Sequence, residues 1–78
     1  MYKENSIREL TQVIKADWKN VYFGAVPYLD AMCQLQTIED SFYLDSGRSV
    51  VNYFLANAQT WRGQIAREVK AELKRRLK

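Results

Sequence analysis

Residues 60–78 read TWRGQIAREVKAELKRRLK, and this stretch has the clearest helical pattern in a chain of 78 residues. Its apolar side chains recur every three or four positions, so on a helical wheel they cover one continuous arc of about 160°. The members of this arc are Trp61, Ile65, Ala66, Val69, Leu73 and Leu77. The spacing predicts an amphipathic fourth helix with Thr60 as its cap and Gly63 in its first turn.

The positive charge of the chain is concentrated in the same stretch. Residues 62–78 contain seven Lys or Arg and two Glu, a net charge of +5, whereas residues 1–61 contain five bases and seven acids, a net charge of −2. Four of the bases fall within about 80° of one another on the wheel, opposite the apolar arc. These four, called the basic face below, are Arg67, Lys70, Lys74 and Lys78.

The basic face has two interpretations. Like charges three or four residues apart on a helix repel one another, and an anionic partner such as nucleic-acid phosphate, an acidic protein surface or anionic lipid would offset that cost. The alternative is a solvated helix face without a ligand. Arg76 falls inside the apolar arc instead, and we expect it to lay its stem on the core and its charged head in water, with Glu72 as an available partner.

Helical spacing of apolar residues recurs in three segments before this stretch. They cover residues 7–18, residues 27–36, and a segment from Asp45 or Ser46 to about Asn57. Ser6 and Glu9 form the S-x-x-E capping box of the first helix, and Pro27 suits the first turn of the second. The stretch 19–26 is a connector, and 37–45 is predicted to be a loop or one helical turn held by its aromatic side chains.

These patterns predict an all-α fold, because a period of two recurs nowhere. We expect a compact bundle of about four short helices with a long, basic, amphipathic C-terminal helix. Residues 1–78 make one domain, in which residues 1–5 are a frayed tail. Apolar residues make up 47% of the chain, which is enough to build a core.

The composition argues against enzymatic chemistry. The chain has no His, the commonest general base and metal ligand, and its single Cys33 fits a small buried residue better than a nucleophile. No spacing singles out a catalytic carboxylate pair, so we expect no enzyme, no cofactor and no metal. A lone Cys and the lack of a signal or membrane-spanning segment indicate a cytoplasmic protein with no membrane partner.

Several aromatic side chains fall in or beside the two connecting stretches. Tyr and Trp are over-represented at protein interfaces, and aromatic rings beside bases also stack on single-stranded nucleic acid. Tyr22 and Tyr43 are the two that we expect to be exposed and to contact a partner. The alternative is that the aromatic side chains close a small core between short helices.

Three stretches of sequence carry a resemblance. Residues 17–32 (DWKNVYFGAVPYLDAM), 45–57 (DSGRSVVNYFLAN) and 60–63 (TWRG) resemble a group of short proteins encoded by bacteriophages and prophages. The similarity spans roughly residues 10–77. It implies an accessory phage protein that acts inside a bacterium by binding a host protein or a nucleoprotein complex.

The sequence therefore predicts a non-enzymatic interaction protein, such as a phage accessory protein or inhibitor. Its contact with a host protein or nucleoprotein complex would use the basic face together with Tyr22 and Tyr43. The alternative is a direct nucleic-acid-binding module that uses the same helix. Self-association into a homo-oligomer is a further alternative that the sequence leaves open.

Overall fold

The computed structural model describes residues 2–78, and this part of the chain forms four α-helices with one short β-hairpin. The helices are α1 (Ile7–Asp17), α2 (Val26–Met32), α3 (Gly47–Ala56) and α4 (Gln64–Leu77). A 3₁₀ turn (Phe23–Ala25) precedes α2, and the hairpin pairs β1 (Ser41–Phe42) antiparallel with β2 (Asp45–Ser46). The predicted fold class, a mainly helical bundle with a longer C-terminal helix, is confirmed.

The start of α1 is the predicted capping box. The Ser6 hydroxyl accepts from the Glu9 amide at 3.0 Å, and the Glu9 carboxylate accepts from the Ser6 amide at 2.9 Å. That second hydrogen bond lowers the pKa of Glu9. Two of the free amides at the helix start are thereby satisfied by local sequence alone.

Helix α2 ends four residues earlier than predicted. The amides of Gln34 and Leu35 bond to carbonyls three residues back, so the chain tightens and leaves the helix. The carbonyls of Leu35 and Gln36 then accept from the amides of Arg8 and Ile7, each at 2.9 Å. The predicted extension of α2 to residue 36 was wrong. These carbonyls accept hydrogen bonds from the amides in the first turn of α1, and α1 is far away in the sequence.

Residues 37–45, predicted as a loop or one helical turn, instead contain the turn that leads into the hairpin. The Asp40 carboxylate accepts from the amides of Thr37 (3.1 Å) and Gln36 (2.8 Å), and these bonds lower its pKa. Gly47 packs so closely on this turn that a Cβ there would lie 2.7 Å from the Ile38 carbonyl oxygen. The close approach brings the two short strands together before Ser46 caps α3.

Helix α4 begins at Gln64, so the prediction that Thr60 caps it is wrong. The cap is Gly63, whose φ of +114° is accessible to glycine and strained for other residues. Trp61 therefore precedes the helix, although its side chain is buried as the wheel predicted. It stacks on Trp18 with 5.8 Å between ring centroids and donates from Nε1 to the Asp17 carboxylate at 2.8 Å.

Arg76 pairs with Glu72 as predicted, but its guanidinium is largely buried and does not extend into water as expected. Its Nε lies 2.6 Å from the Glu72 carboxylate, and its side chain is only 15% exposed. The guanidinium also donates to the carbonyls of Tyr2 at 2.9 Å and Lys3 at 3.3 Å. Residues 2–5 of the predicted frayed tail thus form a turn held against α4, while Met1 lies outside the described residues.

The helix ends meet at two ends of the molecule. At the tryptophan end, Asp17 reaches Trp61, and Gly24 lies against Asn57, just after α3. At the hairpin end, the Arg48 guanidinium near the start of α3 donates to the carbonyl of Leu77, the last residue of α4. Successive helices therefore run up and down, and the core lies between them. Its largest fully buried side chains are Trp61, Phe54, Ile7, Leu10, Ile14, Met32, Leu35 and Leu73.

Candidate functional site: a basic face and two exposed aromatic groups

The basic face lies along the outer side of α4, as the wheel predicted. Arg67, Lys74 and Lys78 are exposed, whereas Lys70 is half-buried. From the first to the last of these positions the helix rises about 16 Å. The structure therefore brings the four predicted bases onto one surface that runs from the tryptophan end to the hairpin end.

The two carboxylates of α4 do not neutralise this surface. Glu72 accepts hydrogen bonds from Arg75 and Arg76, and the Arg75 bond is the main reason that its pKa falls to about 2. Glu68 accepts a hydrogen bond from the Gln64 amide. Within residues 2–78, no carboxylate oxygen lies within 4.0 Å of the amino groups of Lys70, Lys74 or Lys78. The basic face therefore keeps its charge.

Lys70 differs from the other members because the fold itself holds it. Its Nζ donates to the Trp61 carbonyl at 2.6 Å and lies 5.8 Å from the centroid of the Trp61 ring. Burial, followed by the nearby charges of Lys74 and Arg62, lowers the pKa of Lys70. Lys70 thus ties the segment before α4 to the helix, and it is less free than its neighbours to meet a ligand.

Arg62 is a member of this charged surface that sequence reasoning missed. It is exposed, and it is close enough to Lys70 to lower that amine's pKa. A helical wheel gives no signal for this proximity, because Arg62 precedes the helix. The turn at Gly63 creates it, because this turn leaves the Trp61 carbonyl, one residue before Arg62, within hydrogen-bond distance of the Lys70 amine.

Tyr22 lies at the tryptophan end, beside the start of α4. It is 42% exposed and packs against Phe23, an aromatic side chain of the same connecting stretch. Phe23 is 79% exposed, although the sequence singled out Tyr22 and not Phe23 as the exposed one. Tyr22 lines a surface hollow of about 270 Å³ together with Ala56, Asn57, Gln59 and Thr60. Because Thr60 precedes the first residue of α4 by four positions, this hollow lies at the end of the molecule where α4 begins.

Tyr43 lies at the other end of the molecule, at the tip of the hairpin. It is 88% exposed, and the side chain of Leu44 beside it is fully exposed. Tyr43 has a φ of +56°, in the left-handed region that costs a residue with a Cβ about 1–2 kcal/mol. The ten-residue helix α3, about 15 Å long, lies between the hairpin and Asn57, the neighbour of Tyr22. The structure therefore does not bring Tyr22 and Tyr43 together.

The sequence predicted that Cys33 is buried. In the structure it is only half-buried. Its thiol donates to the Thr11 hydroxyl at 3.3 Å, and that hydroxyl donates to the Arg8 carbonyl at 2.6 Å. Among residues 2–78 no cluster of three His, Cys, Asp or Glu side chains is placed to hold a metal ion. The same residues include no helix with the length and apolar character to cross a bilayer.

No family model, curated protein or solved structure matches the chain. The resemblance to short phage proteins therefore stays a prediction. The site is defined by its own geometry, with a basic face along α4, Tyr22 and Phe23 at one end of it, and the Tyr43–Leu44 tip at the other.

Proposed function

We propose that the chain is a non-enzymatic interaction protein that binds an acidic surface of a host protein or nucleoprotein complex. The observation that supports this most strongly is the uncompensated charge of the basic face. Glu72 and Glu68 are already engaged within the helix, so Lys74 and Lys78 have no counter-charge within the described chain. An anionic partner would relieve the repulsion that contributes to the lowered pKa of Lys70.

The aromatic side chains beside the basic face support a protein partner. Tyr22 and Phe23 are exposed at the end of the molecule where α4 begins, and aromatic residues and Arg are enriched at protein interfaces. Rings of this kind tend to carry much of the binding energy when a partner encloses them. We therefore assign Tyr22 to the same contact as the basic face.

The proposal assigns no reaction to the chain. Three of its carboxylates, Glu9, Asp40 and Glu72, have lowered pKa values because hydrogen bonds hold them as anions. Such groups are poor general acids near neutral pH. The phage resemblance supports a role as an accessory protein or inhibitor in the cytoplasm of a bacterial host.

Direct nucleic-acid binding is the second candidate, and the linear arrangement of the bases favours it. The basic face extends for about 16 Å along one helix, which suits a linear chain of phosphates. In that case duplex DNA should bind with an affinity that falls steeply with salt. Roughly four neutralised phosphates, one for each of the exposed bases Arg62, Arg67, Lys74 and Lys78, correspond to a log–log slope of about −3.6.

The two candidates are separated by a triple variant, Arg67→Gln with Lys74→Gln and Lys78→Gln. Lys70 is left unchanged because its amine supports the fold through the Trp61 carbonyl. The matched control removes the same charge elsewhere, by Lys3→Gln, Lys15→Gln and Lys19→Gln. Each protein is titrated with duplex and single-stranded oligonucleotides at several salt concentrations, and is used as bait in a native host lysate with and without nuclease.

If the partner is a protein, we expect free oligonucleotides to bind weakly at about 0.15 M salt, because salt at this concentration screens the attraction between exposed bases and phosphates. A captured protein should survive nuclease and be lost by the triple variant and by Tyr22→Ala, but be kept by the control. Submicromolar, salt-sensitive binding to free nucleic acid that the triple variant abolishes would favour the second candidate. Equal behaviour of the triple variant and the control in both assays would contradict both candidates.

A further inference from the structure

The two side chains at the tip of the hairpin, Tyr43 and Leu44, lie outside the core. Tyr43 and Leu44 are the most exposed large apolar side chains among residues 2–78. The rings of Tyr43 and Phe42 meet edge to face, with 4.6 Å between centroids, and Phe42 is half-buried against the core. The core thus reaches the base of the hairpin and stops there, so burial within this molecule does not explain the choice of Tyr and Leu at the tip.

The backbone of the tip is also poorly matched to its residues. Two-residue hairpin turns favour Gly, Asn or Asp where φ is positive, because those residues adopt the left-handed region at low cost. This turn places Tyr43 there, with a φ of +56°. A residue that is strained and exposed reduces stability, and strain of this kind is concentrated at binding sites.

The tip is nevertheless presented in a defined geometry. The hairpin pairs Ser41 with Ser46 and Phe42 with Asp45. At its base, the amide of Gly47 donates to the Asp40 carbonyl at 2.7 Å. A surface that is ordered before binding loses little conformational entropy when a partner encloses it.

The charge around the tip indicates what kind of partner it fits. Glu39, Asp40 and Asp45 are exposed near the two strands. Arg48 pairs with Glu39 at 2.8 Å and donates to the Leu77 carbonyl of α4, so Asp40 and Asp45 are the carboxylates near the tip without a salt bridge among residues 2–78. Carboxylates in this position repel nucleic-acid phosphate and anionic lipid, whereas they suit a protein pocket with an apolar floor and a basic rim.

We propose that Tyr43 and Leu44 form a binding anchor that inserts into an apolar, basic-rimmed pocket of a protein partner. This anchor is a different surface from the basic face, although the last member of that face, Lys78, also lies at the hairpin end of the molecule. The anchor explains why the chain keeps two apolar side chains exposed and one of them strained. Inside a pocket their burial would provide the binding energy that the isolated fold does not gain.

The first test is the stability of the free protein, which needs no partner. Tyr43→Asn relieves the left-handed strain, so we expect it to raise the folding equilibrium constant by about tenfold. Tyr43→Gly provides a second variant with the same expected direction. The control is Tyr53→Ala on α3, an exposed tyrosine stacked on Tyr28, which should lower stability. Loss of stability in both Tyr43 variants would show that the tip is structural and would overturn the proposal.

The second test is capture from nuclease-treated native host lysate. We expect a protein that wild type and Tyr53→Ala retain, and that Tyr43→Asn and Leu44→Ser each lose by about tenfold or more, as for anchor residues. The basic-face triple variant is a further bait, since a protein that it retains and the tip variants lose depends on the hairpin alone. A capture pattern that the tip variants leave unchanged would overturn the proposal.

Two other occupants of the tip are tested directly. Binding to vesicles of zwitterionic lipid, measured by co-sedimentation, would assign the tip to a bilayer surface if Tyr43→Asn and Leu44→Ser abolish it. Self-association in analytical ultracentrifugation that the same variants abolish would assign the tip to a second copy of the chain. Either result would overturn the protein-pocket proposal, which expects neither.

Discussion

Glu72 is the residue whose surroundings in α4 have the clearest energetic consequence. Its carboxylate is held by Arg75 and Arg76, and the bond from Arg75 is the main reason that its pKa falls from the ordinary 4.5 to about 2. An acid with a lowered pKa in the folded state stabilises the fold fully above its unfolded pKa. That contribution is lost as the pH falls from about 4.5 towards 2.

We therefore predict that Glu72→Gln lowers stability at pH 7 and flattens its dependence on pH between about 4.5 and 2. Glu72 also anchors Arg76, which holds residues 2 and 3, so the N-terminal turn should loosen in this variant. Urea unfolding at pH 7, 4 and 3 measures the effect. Glu4→Gln is the control, since Glu4 is exposed. Identical pH profiles for the two variants would show that the arginine pair does not stabilise the fold.

Substitutions at the adjacent residues Leu73 and Lys74 test which face of α4 is turned towards the core. Leu73 is fully buried, so Leu73→Asp places an unpaired charge in the core and should cost about 3 kcal/mol or more. Lys74 is exposed, and Lys74→Asp should change stability by about 0.5 kcal/mol or less. Thermal unfolding followed by circular dichroism distinguishes the two. Similar losses in both variants would contradict the observed orientation of the helix.

At the residue scale, sequence predicted the features that depend on neighbours along the chain. The Ser6–Glu9 capping box and the Arg76–Glu72 pair each join residues three or four apart. At that spacing helical geometry alone determines which side chains are in contact. The tie between Lys70 and the Trp61 carbonyl could not be predicted in the same way. It depends on a glycine turn that takes Trp61 out of the helix.

At the scale of elements, sequence predicted the helices better than their ends. The apolar stripes of α1, α3 and α4 each match one core face, because the 3.6-residue period is a property of the segment itself. The early end of α2 and the hairpin after it depend on hydrogen bonds to α1 and on the close packing of Gly47. Those contacts are tertiary, so no local sequence pattern predicts them.

Gly63 provides the test of how α4 begins. Its φ of +114° and ψ of −177° lie in a region that is essentially reserved for glycine. No heavy atom from another part of the described chain lies within 4 Å of the position that a Cβ would take, so Gly63→Ala isolates backbone strain from steric clash.

We predict a loss of about 1–3 kcal/mol for Gly63→Ala in chemical denaturation. Gln59→Ala, at an exposed position in the preceding turn, is the control and should be close to neutral. A Gly63→Ala variant as stable as wild type would mean that the turn before α4 relaxes to another conformation, and the Lys70 contact with Trp61 should then be lost as well.

At the scale of the whole molecule, arginine side chains join the terminal segments and the loops through hydrogen bonds between elements that are distant in the sequence. Arg48 bonds to both Glu39 and the Leu77 carbonyl, and Arg76 bonds to residues 2 and 3. A chain this small buries only about 60% of its unfolded surface, so these contacts and the single core should be lost together.

We predict one cooperative transition, with the same midpoint for helical circular dichroism and for exposure of Cys33. The thiol is half-buried under the start of α1, so a thiol reagent should react slowly with the native protein and rapidly in denaturant. Rapid labelling of the native protein, at a rate that denaturant does not increase, would show that the α1–α2 contact opens independently of the rest.

The stacked pair of Trp18 and Trp61 also makes the molecule an optical reporter of its own state. The chain has two tryptophans, and both lie in this one stack, with rings nearly parallel at 12°. All indole emission therefore comes from one place, where the Trp61 carbonyl holds Lys70 and a carboxylate holds the indole N–H. A ligand that moves Lys70 would change the surroundings of this fluorophore without any added dye. The hairpin tip, at the far end of the molecule, has no tryptophan, so binding there should leave the emission spectrum unchanged.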